Sequence, residues 1–514
     1  MILDELAGAK SRPGAPMAQL LEQVSKQEFT DAASLIRLHE ILLFMRAYPA
    51  NARIAKLADS ILFSFGRRVT ALWAAGADLT PFAEPEVSGI AGTSFSAVFS
   101  YEAARSLSAR QRLDINWDAY EPDKLGSVLR RFLPLLDEDW PVEANVPYRE
   151  WIRVAKDDDQ PELEWLLRKL EALTVSQREK SELYEKLQLP LQWGLNDSLA
   201  SRSRVRLPPA KLFVHNAPLL RRGEVSLERE LEGPPLPVAH VPRREAETIL
   251  GTIVDTSATR YRELYGFNHP DTANVYRAQA SRGLEIVFFG IPPEWRLPLR
   301  AYHSGMFFKN GVPAGYIETL SLFERAEVGF NLYYTFREGE AAWIYARLLR
   351  FLRQMLGVTC FSVDPYQLGH ENKEAVESGA FWFYRKLGFR PLDPHIVKLT
   401  AREERKMQGD PGHRSGKETL RKLAAGYVLY GGGSEWDRFR VRNIALAEQR
   451  IGEVFPDSST WTEIEKRKLA EIVEAKQGRE ESRYLRLMQN HKRLRDAFIH
   501  LGTPEPTHGA SPLR

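Results

Sequence analysis

The chain has 514 residues, 43% hydrophobic and 27% charged, with a formal net charge of +3. That composition belongs to folded globular chain rather than to disorder, and the length calls for two or three domains. The near-neutral balance does not call for a nucleic acid or an anionic membrane as partner, and the single cysteine, Cys360, excludes an intramolecular disulfide or a zinc site of paired cysteines.

The opening segment MILDELAGAKSRPGAPM has no basic stretch followed by an apolar one, so a secretory signal is not expected. No window approaches the roughly 20 apolar residues that a membrane helix needs. A soluble, cytoplasmic protein without a membrane partner is the expectation. From Met17 to about Ala75, apolar residues recur at helical spacing (Leu20, Leu21, Val24; Leu35, Leu38, Ile41, Leu42, Met45; Ile54, Leu57, Ile61, Leu62), predicting two packed amphipathic helices. A Gly/Ser-rich stretch, Ser88 to Ser100, interrupts them. Helical signals return at Leu125–Leu136, Glu162–Leu173 and Ser176–Leu187, the last opening with a Ser176/Glu179 capping signature. Residues 1–205 therefore read as a mainly helical region.

Residues 206–245 concentrate proline and read as a connector, with short strands such as KLFVHN. Arg202, Arg204 and Arg206, at its start, are expected to be solvated, since no aromatic or glycine-rich recognition motif accompanies them. After about Lys406 a second linker, QGDPGHRSGKE, leads into a helical C-terminal region, residues 406–514, with stripes at Ile464, Leu469, Ile472 and at Tyr484, Leu487, His491, Leu494, Phe498.

Between Leu284 and Leu399 the periodicity changes type. LEIVFFGI reads as a buried strand. AYHSGMFFK and VPAGYIETLSLF read as a hairpin closed by Asn310-Gly311, which suits the positive φ of a tight turn. VGFNLYYTF is a further strand, AAWIYARLLRFLRQML a helix, VTCFSVDPYQL a strand, GAFWFYRKLGF a helix ended by Gly388, and PHIVKLT a closing strand. The expectation for residues 246–405 is an α/β domain built on a mixed sheet, set between mainly α-helical N-terminal and C-terminal regions.

This order resembles the core of the GNAT acyltransferase superfamily over roughly 150 of the 514 residues. Two motifs carry the resemblance. At the strand-to-helix junction the family has Gln or Arg, two residues, Gly, one residue, then Gly or Ala; here the stretch is Phe336-Arg337-Glu338-Gly339-Glu340-Ala341. Backbone N–H groups there would meet the pyrophosphate of coenzyme A at a helix start. Phe336 departs from the pattern, and Glu338 and Glu340 add negative charge beside the phosphate site. The second motif is Ala380 to Phe389, similar to the family's late helix, whose tyrosine corresponds to Tyr384; Glu377 stands where the family often has asparagine.

The resemblance implies an N-acyltransferase moving an acyl group from acetyl-CoA or another acyl-CoA to an amine on a small molecule or protein. Tyr384 would protonate the departing thiolate. Asn331, Leu332 and Tyr333 would contact the donor, and Arg337, Glu338, Gly339, Glu340 and Ala341 would hold its phosphates. Glu318, among apolar neighbours in GYIETL, is the base candidate, with Glu327 and His303 behind it. His303 and His370 lack a second ligand at metal spacing, so no metal is expected, and Cys360 reads as a buried core thiol. Gly431-Gly432-Gly433-Ser434 lacks the lysine and spacing of a P-loop and reads as a turn. The helical regions would shape the acceptor site or a homo-oligomer. Competing readings are a GNAT-fold scaffold without cofactor and a transferase of the same fold using an aminoacyl donor.

Overall fold

The computed structural model describes residues 2–10, 16–120, 124, 148–156, 159–261, 263–438 and 462–502; the helical signal at Leu125–Leu136 lies outside them. Among these, the chain has two apolar cores. A small antiparallel sheet, β1 (Ser94–Val98), β2 (Leu113–Ile115) and β3 (Pro190–Gly194) in the order β1-β3-β2, anchors the lesser core with Tyr101, Leu166, Tyr184 and Trp193. The larger core is built on a nine-stranded mixed sheet. Its strands are β4 (Val238–His240), β5 (Val275–Gln279), β6 (Leu284–Phe289), β7 (Ala301–Lys309), β8 (Val312–Leu322), β9 (Arg325–Leu332), β10 (Cys360–Val363), β11 (Arg390–Pro391) and β12 (Val428–Gly431), in the spatial order β11-β12-β10-β9-β8-β7-β6-β5-β4.

Neighbours pair antiparallel except β9 and β10, which run parallel. The connection between those two is the helix α1 (Ala341–Leu356), the crossover that a parallel pair requires. The β7–β8 turn forms as the sequence predicts, with Asn310 at φ 48° and Gly311 at φ 80°. β6 and β7 are buried at every residue because helices cover both faces. Tyr302, Ser304, Tyr316, Glu318, Gly329 and Asn331 share one face by register. Phe307 and Phe330 share the other, where Phe330 lies 4.9 Å from the ring of Tyr345 of α1.

Several expectations need correction. Met17 to Ala75 holds four helices, Met17–Lys26, Ala32–Ala47, Asn51-capped Ala52–Phe63 and Phe65–Ala74. Residues 1–205 divide between the two cores: Leu21 to Phe82 pack into the core of the large sheet, while Phe95 to Ala200 form the smaller one. Residues 211–216, KLFVHN, are not a strand; Phe213 N–H donates to Asn310 and His215 N–H to Pro49, tying the connector across the β7–β8 turn. PHIVKLT lies in a helix, Pro394–Gly409, opened by the Asp393 cap and Pro394 at its first position. The sheet instead closes through β11 and β12, so residues past 405 belong to it. Arg202 is not solvated. It is 1% exposed and bound to Glu40 at 3.1 Å.

Late in the chain, the helices Glu463–Gln477, Glu481–Gln489 and Lys492–Gly502 pack back on the β8–β9 turn, where Gln489 donates to the carbonyls of Phe323 and Leu356. No helix among the described residues is long and apolar enough to cross a membrane.

Candidate functional site

β9 and β10 pair only from Arg325–Cys360 to Glu327–Ser362, and then part. The rest of β9 thus has one edge free. Tyr333 N–H bonds to Ala314 of β8, so by antiparallel alternation the peptide groups of Leu332 and Phe330 turn away from β8 toward that open edge. The gap is a cleft of about 270 Å³ whose walls include Asn331, Leu332, Ala341, Gln367, Phe383 and Tyr384. Two helices shape its far wall, Lys373–Ser378 and α2 (Ala380–Arg385), separated by Gly379 at φ 68°. Gly388, at φ 102°, turns the chain back toward the sheet.

Tyr384 lines this cleft, 3% exposed, its ring packed edge-on to Tyr345 and Phe389. Burial pushes its phenol well above the usual tyrosine range, which keeps it protonated and a hydrogen-bond donor. Of the three strand residues expected to meet a donor, Asn331 and Leu332 line the cleft. Tyr333 does not; its ring is turned under the guanidinium of Arg260, 4.5 Å away.

The junction before α1 has two sides. On one, Tyr48 of the N-terminal helices packs so closely under Gly339 that a Cβ there would lie 2.6 Å from its hydroxyl. Glu40 braces the same loop by accepting from Thr335. Glu340, expected to face the phosphates, instead turns inward, fully buried, and bonds Lys309 and Arg282 at 2.8 Å. Glu338 is exposed and paired with Lys10, and Arg337 is paired with Glu374. The other side is open. A cavity of about 450 Å³ is lined by Gly339, Ala341 and Ala342 at the start of α1 and by the charged residues Arg221, Arg222, Arg337 and Glu338. A third cavity of about 490 Å³ continues past Phe383 and adds Lys386, His413 and Arg414 to Arg222. Burial, then the charges of Arg222 and Arg414, lowers the Lys386 pKa, as expected where three cations converge. Glu377 reaches the same cavity but is held by Lys417 at 3.2 Å.

At the opposite end, Glu318 lies on β8 across from Gly329 and accepts a hydrogen bond from Tyr302. Burial raises its carboxyl above the usual range, and the Tyr302 bond partly offsets that. Glu327 is also raised by burial. His303 sits on the other sheet face, stacked 5.2 Å from Phe288, with its pKa pushed down to about 3 by burial. Cys360 is buried, its thiol pushed up to about 12, and neither residue reaches the cleft. Among the described residues no cluster of His, Cys, Asp or Glu could hold a metal.

Tyr48, Arg221, Arg222, Lys386 and Arg414 were not foreseeable as neighbours, because they come from segments 48 to 414 of the chain. Nor was Tyr302: counting back from Asn310-Gly311 pairs it with Thr319, and only the register shift between Phe307 and Phe308 moves it opposite Leu320 and onto the Glu318 face. Comparison with protein-family models, curated proteins and solved structures finds no match to this chain, so the functional reading rests on geometry.

Proposed function

We propose that the protein is an acyl-coenzyme A-dependent N-acyltransferase of the GNAT class. The observation that carries this reading is the parting of parallel strands β9 and β10 into a cleft that holds Tyr384 and continues, past the start of α1, into cavities lined by Arg221, Arg222, Lys386 and Arg414. An acyl-CoA is a thioester on a slender arm ending in a diphosphate and a phosphorylated nucleoside, and the sequence of cleft and cationic cavities suits it in that order. Arg221, Arg222 and Arg337, with the N–H groups of Ala341 and Ala342, would hold the diphosphate. Lys386 and Arg414 would meet a further phosphate. The inward turn of Glu340 removes a charge that would oppose such binding.

In this reading the Leu332 and Phe330 peptides offer N–H groups to the thioester carbonyl. Glu318 takes the proton the amine nitrogen loses as the C–N bond forms. Tyr384 gives a proton to the sulfur as the C–S bond breaks, and its phenolate regains one from solvent. The products are an amide and a free thiol.

A scaffold without cofactor is the competing reading, favoured by Tyr48 filling one side of the Gly339 turn. Acetyl-CoA added to the full chain separates the two. At a hundredfold excess over its Kd a ligand stabilises by about 2.7 kcal/mol, a readable rise in Tm. No rise with acetyl-CoA or CoA would overturn the transferase.

A further inference from the structure

Glycines in the central strands of the large sheet are mostly packed against their neighbours. A Cβ on Gly315 would fall 2.1 Å from the Asn331 carbonyl oxygen, and one on Gly305 would fall 2.6 Å from that of Val287. Gly329 differs. A Cβ there would meet nothing closer than Glu318 Cβ at 3.8 Å and Gln367 Nε2 at 4.0 Å. Its backbone is ordinary strand, without positive φ. The missing side chain therefore leaves a notch, floored by the β9 backbone and walled by Glu318 on one side and Gln367 on the other.

The notch adjoins the cleft. Gln367 lines both, and Tyr316 and Asn331, the next residues on the same sheet face, also line the cleft. In β7 and β8, where nearly every residue is buried, Glu318 and Leu320 are half-exposed, as are Glu327 and Gly329 beside them on β9. This end opens on the face opposite α1, away from the arginine-lined cavities. Tyr302, 7% exposed, fixes the Glu318 carboxylate by its hydrogen bond, with Tyr265 edge-on to its ring at 5.6 Å.

We propose that the acceptor amine reaches the cleft over Gly329, between Glu318 and Gln367, and that the acceptor is a primary amine on a slender, unbranched chain. The inference rests on the acyltransferase reading and specifies its second substrate. The Glu318 carboxylate draws in an aminium group, and the narrow notch excludes branching next to the nitrogen. The aminium gives one proton to solvent, the neutral amine then forms the amide bond, and the second proton goes to Glu318.

The test needs no identified acceptor. The full chain is titrated with CoA and with two conjugates in which the CoA sulfur carries –CH2–CO–NH–R, R being n-butyl or tert-butyl. The n-butyl arm should add affinity over CoA and the tert-butyl arm none. Gly329→Val should weaken the n-butyl conjugate by about tenfold, the change that 1.4 kcal/mol makes, while the Kd for CoA stays within about twofold. Gly329→Ala, whose added Cβ sits at ordinary contact distance, should fold normally and fall between. Equal affinity of both conjugates in the wild type overturns the notch, as does loss of neither or of both ligands alike in the alanine and valine variants. Wild-type protein that fails to bind CoA overturns the transferase itself, a different result.

Discussion

The Glu340 carboxylate lies 2.8 Å from the Lys309 ammonium, and neither side chain is exposed. This pair, shared with Arg282, lies beneath the junction that opens α1 and is covered by Tyr48, with Lys309 4.8 Å from its ring centroid. It explains how a glutamate can stand one residue before that helix without opposing an anion there.

Glu340→Ala leaves Lys309 buried and short of its partner, so it should destabilise the fold by about 3–5 kcal/mol in urea unfolding. Burial alone would raise the Glu340 carboxyl, but Lys309 and Arg282 outweigh it and hold it below its usual value. A carboxylate whose folded pKa is depressed contributes stability fully present above its unfolded value, about 4.3, and lost as pH falls through the folded one. Between those two pH values the wild type should lose stability more steeply than Glu340→Gln. Parallel curves would show the pair to be energetically silent.

Tyr384→Phe removes a hydroxyl and little volume from the cleft wall. If the phenol protonates the leaving sulfur, kcat should fall about 10²-fold or more, the usual worth of a positioned proton donor. The Kd for acyl-CoA should change little. Equal losses in both would mean that Tyr384 only packs.

Arg222→Ala removes a charge that opposes Lys386 and should not lower the Tm of the free protein, whereas Arg414→Ala also gives up its bonds to the Pro411 and His413 carbonyls and should lower it slightly. Each should weaken CoA by about tenfold, in keeping with roughly 1.5–3 kcal/mol for a hydrogen bond to a charged group. The loss should shrink at high salt. Binding of CoA lacking its nucleoside phosphate should be less sensitive to Arg414→Ala than binding of CoA itself. Isothermal titration at two ionic strengths reads all of these.

Tyr302→Phe deletes the hydrogen bond that favours the charged form of Glu318. With burial left as the dominant influence, the Glu318 pKa should rise further. The acid limb of the kcat/KM profile should then move to higher pH. An unmoved limb with a lower plateau would indicate a packing role for Tyr302 instead.

Local chemistry made much of the central region legible in the sequence. Asn310-Gly311 determines the hairpin because that pair accepts two successive positive φ angles easily, while the register shift between Phe307 and Phe308, which no local signal marks, sets Tyr302 and Ser304 on the face of Glu318. Ser176 and Glu179 form the capping box that their spacing predicts. The 3.6-residue stripe of α1 and the left-handed Gly388 are likewise properties of a few neighbouring residues. PHIVKLT reads as a strand because β-branched, apolar residues suit one, whereas the Asp393 cap and Pro394 start a helix that tertiary packing completes.

What only the tertiary structure decided are relations between residues far apart in the chain. β10 parts from β9 after Glu327 while keeping β12 on its other edge, and β12 lies some 65 residues later in the chain. Whether Glu340 faces an anion or Lys309, and whether Arg202 is solvated or sealed against Glu40, depends on long-range packing that brings the N-terminal helices onto the sheet. Periodicity records which face of an element is apolar. It carries no record of which distant side chain will cover that face, because burial energy depends on the area removed from water and hardly on the identity of the partner.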